Sequence, residues 1–256
     1  IVQLPYLEAI GLEKQHLGDE EYALLGQLKN LIDVRLHSMN EGERKASKDA
    51  PMFINELPLP LTVLELKHNF RVSGGCMSKL KPQPALEKLE IDNGYATDDA
   101  VEMILSAKDN LRNLQLHRTT ITDQNFQRIV KNLPHLEILE VRPNGPRENP
   151  ITGRSLQALK NHPSLEALRL SQKWTELPYE GGLDALATIP TLKYVFIKPN
   201  DVKVSLDHPA IQKLHKARPD ILIQYSYGDF IGGEDGAKKP NIDAEFNWDG
   251  GVTTHG

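Results

Sequence analysis

The chain has nine histidines and one cysteine, which are the side chains most often used as catalytic bases, nucleophiles and metal ligands. Cys76 has no base near it in the sequence, and a single cysteine forms neither an intrachain disulfide nor a thiolate zinc site. The adjacent carboxylates Asp98 and Asp99 stand at the start of a predicted helix, where the helix dipole stabilises negative charge. The residues that flank the glycine pairs do not match the sequence motifs of phosphate-binding loops or hydrolases. We therefore predict that the protein is not an enzyme and has no cofactor.

Charge and hydropathy exclude further classes of protein. The 256 residues carry 30 Lys and Arg against 35 Asp and Glu, a net charge of -5, which argues against a nucleic-acid partner. No apolar run approaches the roughly 18 residues that a membrane-spanning helix needs, so we expect no membrane span. The sequence begins without the basic region and apolar stretch of a signal peptide, and the cytoplasm is therefore the default expectation for localisation.

Leucine accounts for 36 of the residues, and its spacing is periodic. The pattern L-x-x-L-x-L, with Ile or Val as substitutes, recurs eight times, and a degenerate ninth copy begins at Ile221. The copies are separated by steps of 24 to 30 residues and begin at Leu7, Leu31, Leu61, Leu86, Leu111, Leu136, Leu165 and Leu192. Such a period is typical of solenoids, in which each repeat buries its apolar side against its neighbours.

Each repeat combines two kinds of periodicity. Apolar and polar residues alternate at its start, as in Leu114-Gln115-Leu116, which predicts a short strand with one buried face. After a turn, apolar residues recur at helical spacing, with Thr122 and Thr152 as candidate helix N-caps. The sequence therefore predicts one strand and one helix per repeat, stacked so that the strands form a parallel sheet.

The repeats between Leu7 and Tyr227 resemble those of the leucine-rich repeat family. Their length, their helical second half and the Ile-Thr-Asp opening of that half at Ile121 are most similar to the ribonuclease-inhibitor-like and F-box-associated types, although the residues before Leu7 contain no F-box. The resemblance implies an α/β fold, a right-handed horseshoe-shaped solenoid of eight or nine repeats. The parallel sheet would line its concave face and the helices its convex face.

We divide the chain into a leucine-rich repeat domain, residues 1–231, and an acidic C-terminal tail or cap, residues 232–256. The second segment contains no leucine, and its five carboxylates against two lysines give a net charge of -3. Insertions at 40–55, 143–150 and 171–182 interrupt the repeats. We interpret them as tolerated surface variation or as contacts for a partner at the rim, and Trp174 favours the second interpretation.

Alternation along the strands places two columns of side chains on the concave face. The first column, between the last two apolar residues of each repeat, contains Gly11, Arg35, Glu65, Glu90, Gln115, Glu140, Arg169, Phe196 and, in the ninth copy, Tyr225. The second column, two positions later, contains Glu13, His37, Lys67, Asp92, His117, Arg142, Ser171, Lys198 and Tyr227. His37 and His117 are three strand steps apart, roughly 14 Å, which is too far for one metal ion.

These columns supply the candidate binding residues. Glu65, Glu90 and Glu140 lie close to Lys67, Lys88 and Arg142, which predicts a solvated surface of mixed charge. Towards the C-terminal end the face becomes aromatic, and exposed aromatic groups indicate a partner, a covering tail or a mistaken register in the last repeat. The predicted binding residues are Tyr194, Phe196, Tyr225, Tyr227, Arg169, Arg142, Glu140 and Glu90.

From these features we predict a non-catalytic module that binds another protein through its concave sheet, because a broad prearranged surface loses little ordering entropy on binding. One alternative is a structural or regulatory subunit of a larger assembly, held by its convex helices or its tail. A second alternative is a glycan-binding module in which the aromatic side chains stack on sugar rings.

Overall fold

The computed structural model describes residues 4–13, 17–37, 50–67, 77–92, 97–119, 121–142, 151–172, 182–199, 206–225 and 229–233. They form one sheet in which ten strands follow each other in chain order. The first nine strands are parallel, and the tenth is antiparallel to the ninth. The strands are β1 Ala9–Glu13, β2 Asp33–His37, β3 Val63–Lys67, β4 Lys88–Asp92, β5 Asn113–His117, β6 Ile138–Arg142, β7 Ala167–Gln172, β8 Tyr194–Pro199, β9 Leu222–Tyr225 and β10 Asp229–Ile231.

Helical segments lie between successive parallel strands. The α-helices are α1 Asp19–Leu25, α2 Asp98–Leu105, α3 Asp123–Asn132, α4 Gly153–Leu156, α5 Gly182–Leu186 and α6 Pro209–Ala217, and the 3₁₀ helices are Ala50–Glu56, Met77–Lys79 and Gln157–Leu159. Thr122 caps α3 as predicted, because its hydroxyl accepts a hydrogen bond from the Asn125 N–H at 3.1 Å. Among the described helices, none has the length and apolar character needed to cross a membrane.

The apolar positions of the repeat build the core between the sheet and the helices. One row across the sheet contains Val34, Leu64, Leu89, Leu114, Leu139 and Leu168. Helix side chains such as Phe126 and Ile129 pack against these strands in one buried cluster. The leading residues of the repeats from Leu31 to Ile221 are all buried as well. The described part of the chain is thus an α/β solenoid, as the spacing predicted.

A repeated pair of backbone hydrogen bonds aligns each strand with the one before it. In the second repeat, the N–H groups of Ile32 and Asp33 both donate to the carbonyl of Glu8, at 2.8 and 3.0 Å. The same arrangement, which we call the two-donor clamp, recurs on the carbonyls of Ile32, Thr62, Glu87, Arg112, Glu137 and Glu166. It fixes where each strand begins relative to its neighbour.

The last repeat departs from the predicted register. Its clamp has a single donor, Leu222, which bonds the Lys193 carbonyl at 2.9 Å. One residue fewer therefore separates the leading residue Ile221 from the strand than in the other repeats. The pairing places Gln224 beside Phe196 and Tyr225 beside Ile197. The assignment of Tyr225 to the column of Phe196 was wrong, because the sequence pattern assumed an unchanged spacing.

The C-terminal edge of the sheet is formed by the antiparallel strand β10, which the sequence pattern did not predict. Gly232 follows it with a φ of +79°, and a Cβ atom there would lie 2.4 Å from the Ile221 carbonyl oxygen, so only glycine fits. The Gly233 N–H then donates to the Pro219 carbonyl at 2.9 Å. Residues 234–256, Trp174 and Tyr227 lie outside the described residues.

Candidate functional site

The side of the sheet away from the core presents three rows of side chains, which together we call the outer face. The amino-terminal row includes Lys88, Asn113, Ala167 and Tyr194, the middle row includes Glu65, Glu90, Gln115, Glu140, Arg169 and Phe196, and the carboxyl-terminal row includes His37, Lys67, His117 and Arg142. All eight predicted binding residues except Tyr225 and Tyr227 belong to these rows.

Glu65 is the centre of the first ionic cluster. Lys88 Nζ lies 2.5 Å from its Oε1, and His37 Nε2 lies 2.7 Å from its Oε2. Lys67 also approaches this carboxylate, at 3.2 Å. Burial raises the pKa of the Glu65 carboxyl, but the His37 hydrogen bond and the charges of Lys88 and Lys67 outweigh burial and hold the pKa well below its usual range. Glu65 therefore remains a carboxylate.

Lys67 links this cluster to the next strand. Its Nζ lies 2.9 Å from Glu90 Oε2. Burial lowers the pKa of Lys67, but the charges of Glu90 and Glu65 outweigh burial and raise it above its usual value. His117 continues the chain of contacts, with Nδ1 3.5 Å from Glu90 and Nε2 3.5 Å from Glu140. The polar contacts thus run without a break from β2 to β6.

Glu140 closes this network at β6 and β7. Arg142 donates to its Oε1, and Arg169 Nη1 donates to its Oε2 at 3.2 Å. Burial raises the pKa of Glu140, but the interaction with His117 and the charges of Arg169 and Arg142 lower it overall. The predicted pairing of Lys67, Lys88 and Arg142 with the glutamates is confirmed. The predicted solvated surface was wrong, because Glu65, Glu90 and Glu140 are all buried.

The aromatic end of the outer face is present but is not exposed. Tyr194 is 0% and Phe196 2% exposed, and both belong to a second apolar cluster with Ala167 and Leu222. The Arg169 guanidinium lies over the Phe196 ring at 5.1 Å from its centroid. Alternation predicted the face on which these rings lie, but not what surrounds them. The expectation of exposed aromatic groups at Tyr194 and Phe196 is therefore corrected.

Gln224 is a member of this region that the sequence pattern missed. It takes the place predicted for Tyr225, and its side-chain oxygen accepts a hydrogen bond from the Tyr194 hydroxyl. The polar end of a buried tyrosine is satisfied in this way.

Glu13 on β1 is exposed, but between β3 and β6 the side chains of the outer face that reach solvent are mainly cationic. The side chain of Arg142 is 37% exposed, that of Arg118 32% and that of Lys67 23%. Arg118, which repeat spacing gave no reason to select, follows β5 with a φ of +46° and donates from Nε to Asp92 at 2.6 Å. Each of these cations is held by a buried carboxylate and keeps part of its side chain accessible.

Among the described residues, no group of three or more His, Cys, Asp and Glu side chains is arranged to hold a metal ion. His37 contacts Glu65, and His117 contacts Glu90 and Glu140, on different strands.

Comparisons with known proteins find similarity among solved structures. No protein-family model matches the chain, and no curated protein matches it. Among solved structures, the chain is similar to InlP of Listeria monocytogenes, with a TM-score of 0.37 and 20% sequence identity. The match covers 76% of this chain and 63% of that protein's chain. Repeat spacing and strand register, rather than this likeness, establish the solenoid.

Proposed function

We propose that this protein is a non-catalytic interaction module that binds another protein through its outer face, with Arg142, Arg118 and Lys67 as direct contacts. The observation that carries this proposal is the set of partly exposed cations held in place by buried carboxylates. Side chains that are already fixed lose little conformational entropy when they meet a partner.

The other predicted binding residues have different roles in this proposal. Glu140 holds Arg142 in position, Arg169 holds Glu140, and Glu90 holds Lys67. Tyr194 and Phe196 form the packed floor on which Arg169 lies. Tyr227 is a further candidate contact. The same proposal includes three structural features. The repeats are of the ribonuclease-inhibitor-like type, the solenoid is right-handed, and the sheet lines its concave face.

Burial of the aromatic rings bears on the glycan-binding alternative. Sugar recognition by stacking needs an accessible ring face, and neither Tyr194 nor Phe196 offers one. A protein partner that contacts the cations fits the described outer face better. The remaining alternative, a subunit held by its helices or by residues 232–256, predicts that changes on the outer face leave binding unaffected.

The test is affinity capture with the wild-type chain and with Arg142→Ala, followed by quantitative mass spectrometry. Glu140 keeps Arg169 and His117 as partners in this variant, so the fold should persist. Arg112→Ala is the matched control, because Arg112 is an exposed arginine outside the three rows, paired with Glu137. We expect Arg142→Ala to deplete the partner at least fivefold and Arg112→Ala to leave it unchanged. Equal recovery with all three chains would rule out the outer face as the binding surface.

A further inference from the structure

The depth of the charged groups sets the sign of the outer face between β3 and β6. The described charges of this region are equal in number, four of each sign. The cations are Lys67, Lys88, Arg118 and Arg142, and the anions are Glu65, Glu90, Asp92 and Glu140. All four carboxylates are buried, whereas Lys67, Arg118 and Arg142 reach solvent. An approaching molecule therefore meets these three side chains first, and we call them the cationic strip.

Arg142 carries the strongest positive charge of the strip. Its Nε donates to Glu140 Oε1, and Arg169 Nη1 donates to the other oxygen of the same carboxylate at 3.2 Å. Two guanidinium groups thus share one buried carboxylate, and Glu140 neutralises only one of the two charges. Because Glu140 binds Arg142 through Nε, the Nη1–Nη2 edge of this guanidinium can receive a second carboxylate in a two-point contact.

The strand spacing gives the cationic strip a length. Lys67 ends β3 and Arg142 ends β6, and the Arg118 guanidinium lies between them because it binds Asp92 of β4. The three steps from β3 to β6, each about 4.8 Å, make roughly 14 Å. An extended chain rises about 3.3 Å per residue, so three side chains at every second residue span the same length. The strip therefore matches an extended segment with acidic residues at alternate positions.

The charge around the strip favours a short acidic segment over a long polyanion. The Glu13 side chain on β1, two strand steps from Lys67, is 67% exposed and repels negative charge that extends beyond the strip. The whole chain has a net charge of -5, which opposes nucleic acid at long range. A protein segment whose carboxylates are confined to the length of the strip meets complementary charge without reaching these negative regions.

We propose that the partner bound by the outer face presents an extended acidic segment, whose carboxylates at alternate positions contact Lys67, Arg118 and Arg142. This inference rests on the proposed function and specifies the chemistry of the partner. The segment crosses the strands from β3 to β6, and one of its carboxylates binds the Nη1–Nη2 edge of Arg142. Buried carboxylates already hold the three cations in place, so little side-chain entropy is lost on binding.

The test measures the fluorescence anisotropy of a labelled, acetylated and amidated eight-residue peptide in which glutamate alternates with threonine. We expect saturable binding that weakens as salt is added, and about tenfold weaker binding of the same peptide with glutamine in place of glutamate. Arg142→Gln should weaken binding of the glutamate peptide about tenfold, and Arg142→Lys, which keeps the charge but not the two-point contact, should weaken it less. Arg112→Gln is the matched control and should leave the affinity unchanged, because Arg112 is exposed and lies outside the three rows.

Equal affinity for the glutamate and glutamine peptides, or for the wild type and Arg142→Gln, would overturn the proposal. So would tighter binding of a single-stranded oligonucleotide that is lost in Arg142→Gln, because the strip would then serve nucleic acid. Thermal unfolding of each variant establishes that a loss of binding does not come from a loss of fold.

Failure of this inference is distinguishable from failure of the proposed function. If Arg142→Ala depletes the captured partner while the glutamate peptide does not bind, the outer face is the binding surface and the acidic chemistry is wrong. Equal recovery of the partner with wild type and Arg142→Ala contradicts the proposed function itself, whatever the peptide does.

Discussion

At the scale of single residues, Glu65 shows how the outer face tolerates charge away from water. A buried carboxylate is destabilising unless hydrogen bonds and opposite charges compensate. Glu65 has three such partners, Lys88, Lys67 and His37, on three different strands. Its negative charge therefore stabilises the contact between neighbouring repeats and also fixes the direction of Lys67.

Replacing Glu65 with glutamine should destabilise the protein by about 3 kcal/mol, because the buried Lys88 ammonium loses its closest counter-charge. Urea unfolding at pH 7 measures the change. Glu137→Gln is the control, since Glu137 forms an exposed pair with Arg112, and such pairs contribute less than about 1 kcal/mol. Equal losses of stability in the two variants would show that the buried Glu65–Lys88 pair contributes no more than an exposed pair.

The residues of the site were predictable to different degrees. The alternation of apolar and polar residues was sufficient to place Glu90, Glu140 and Arg142 on the outer face. It could not predict that Tyr194 is buried, because alternation specifies the side of the sheet and not the atoms above it. It also could not select Arg118, which lies beyond the strand and reaches Asp92 only through a left-handed backbone.

At the scale of elements, Asp123 connects the starts of two successive helices. It is the first residue of α3, and its carboxylate accepts hydrogen bonds from the Thr152 N–H at 2.9 Å and the Thr152 hydroxyl at 2.6 Å. The buried Ser155 hydroxyl donates to it as well. Thr152 is the N-cap residue of α4 by position, but its hydroxyl donates to Asp123 instead of accepting from its own helix. The residues at the start of α4 are therefore held by a carboxylate of the preceding repeat.

Asp123→Ala should lower the free energy of unfolding by about 2 kcal/mol, because several donors lose a charged acceptor. Asp98→Ala is a close control. Asp98 is likewise the first residue of its helix after a threonine N-cap, but its side chain is 81% exposed and forms an ion pair with Arg128. The control should change stability by less than about 1 kcal/mol. Thermal or urea unfolding of both variants gives the comparison. An equally large loss of stability in Asp98→Ala would mean that Asp123 acts only through its favourable charge at the start of the helix.

The elements themselves were largely predictable, and the exceptions have local causes. Leucine triplets specified nine strands because each triplet buries its apolar side against the next. The ninth strand was misplaced by one residue because Ile221 stands closer to its strand than the other leading residues do. Strand β10 is only three residues long and pairs antiparallel, so no repeat pattern could indicate it.

At the scale of the whole molecule, the described elements contact their sequence neighbours. Each strand packs against the strands before and after it, and each helix against the adjacent helices. Stability in such an arrangement is carried from layer to layer rather than through one central core. The ends should therefore open more easily than the middle.

Native-state hydrogen exchange should reveal this gradient. The Ile10 and Leu12 amides of β1 should exchange at least tenfold faster than the equivalent Leu114 and Leu116 amides of β5, because Ile10 is 8% exposed whereas Leu114 and Leu116 are fully buried. Exchange followed by proteolysis and mass spectrometry at pH 7 resolves the two strands. Identical protection would mean that the solenoid opens only as a single unit.

The two-donor clamp separates the length of a repeat from the alignment of its strand. Successive repeats differ by up to six residues, since the steps range from 24 to 30, yet the rows stay in register from β1 to β8 because every clamp is made beside the start of its own strand. A difference in length is thus absorbed within one repeat and does not accumulate along the sheet. Segments of quite different size can be inserted between strands while the outer-face side chains keep their spacing. An insertion can therefore add surface to one repeat without displacing the outer-face residues of the others.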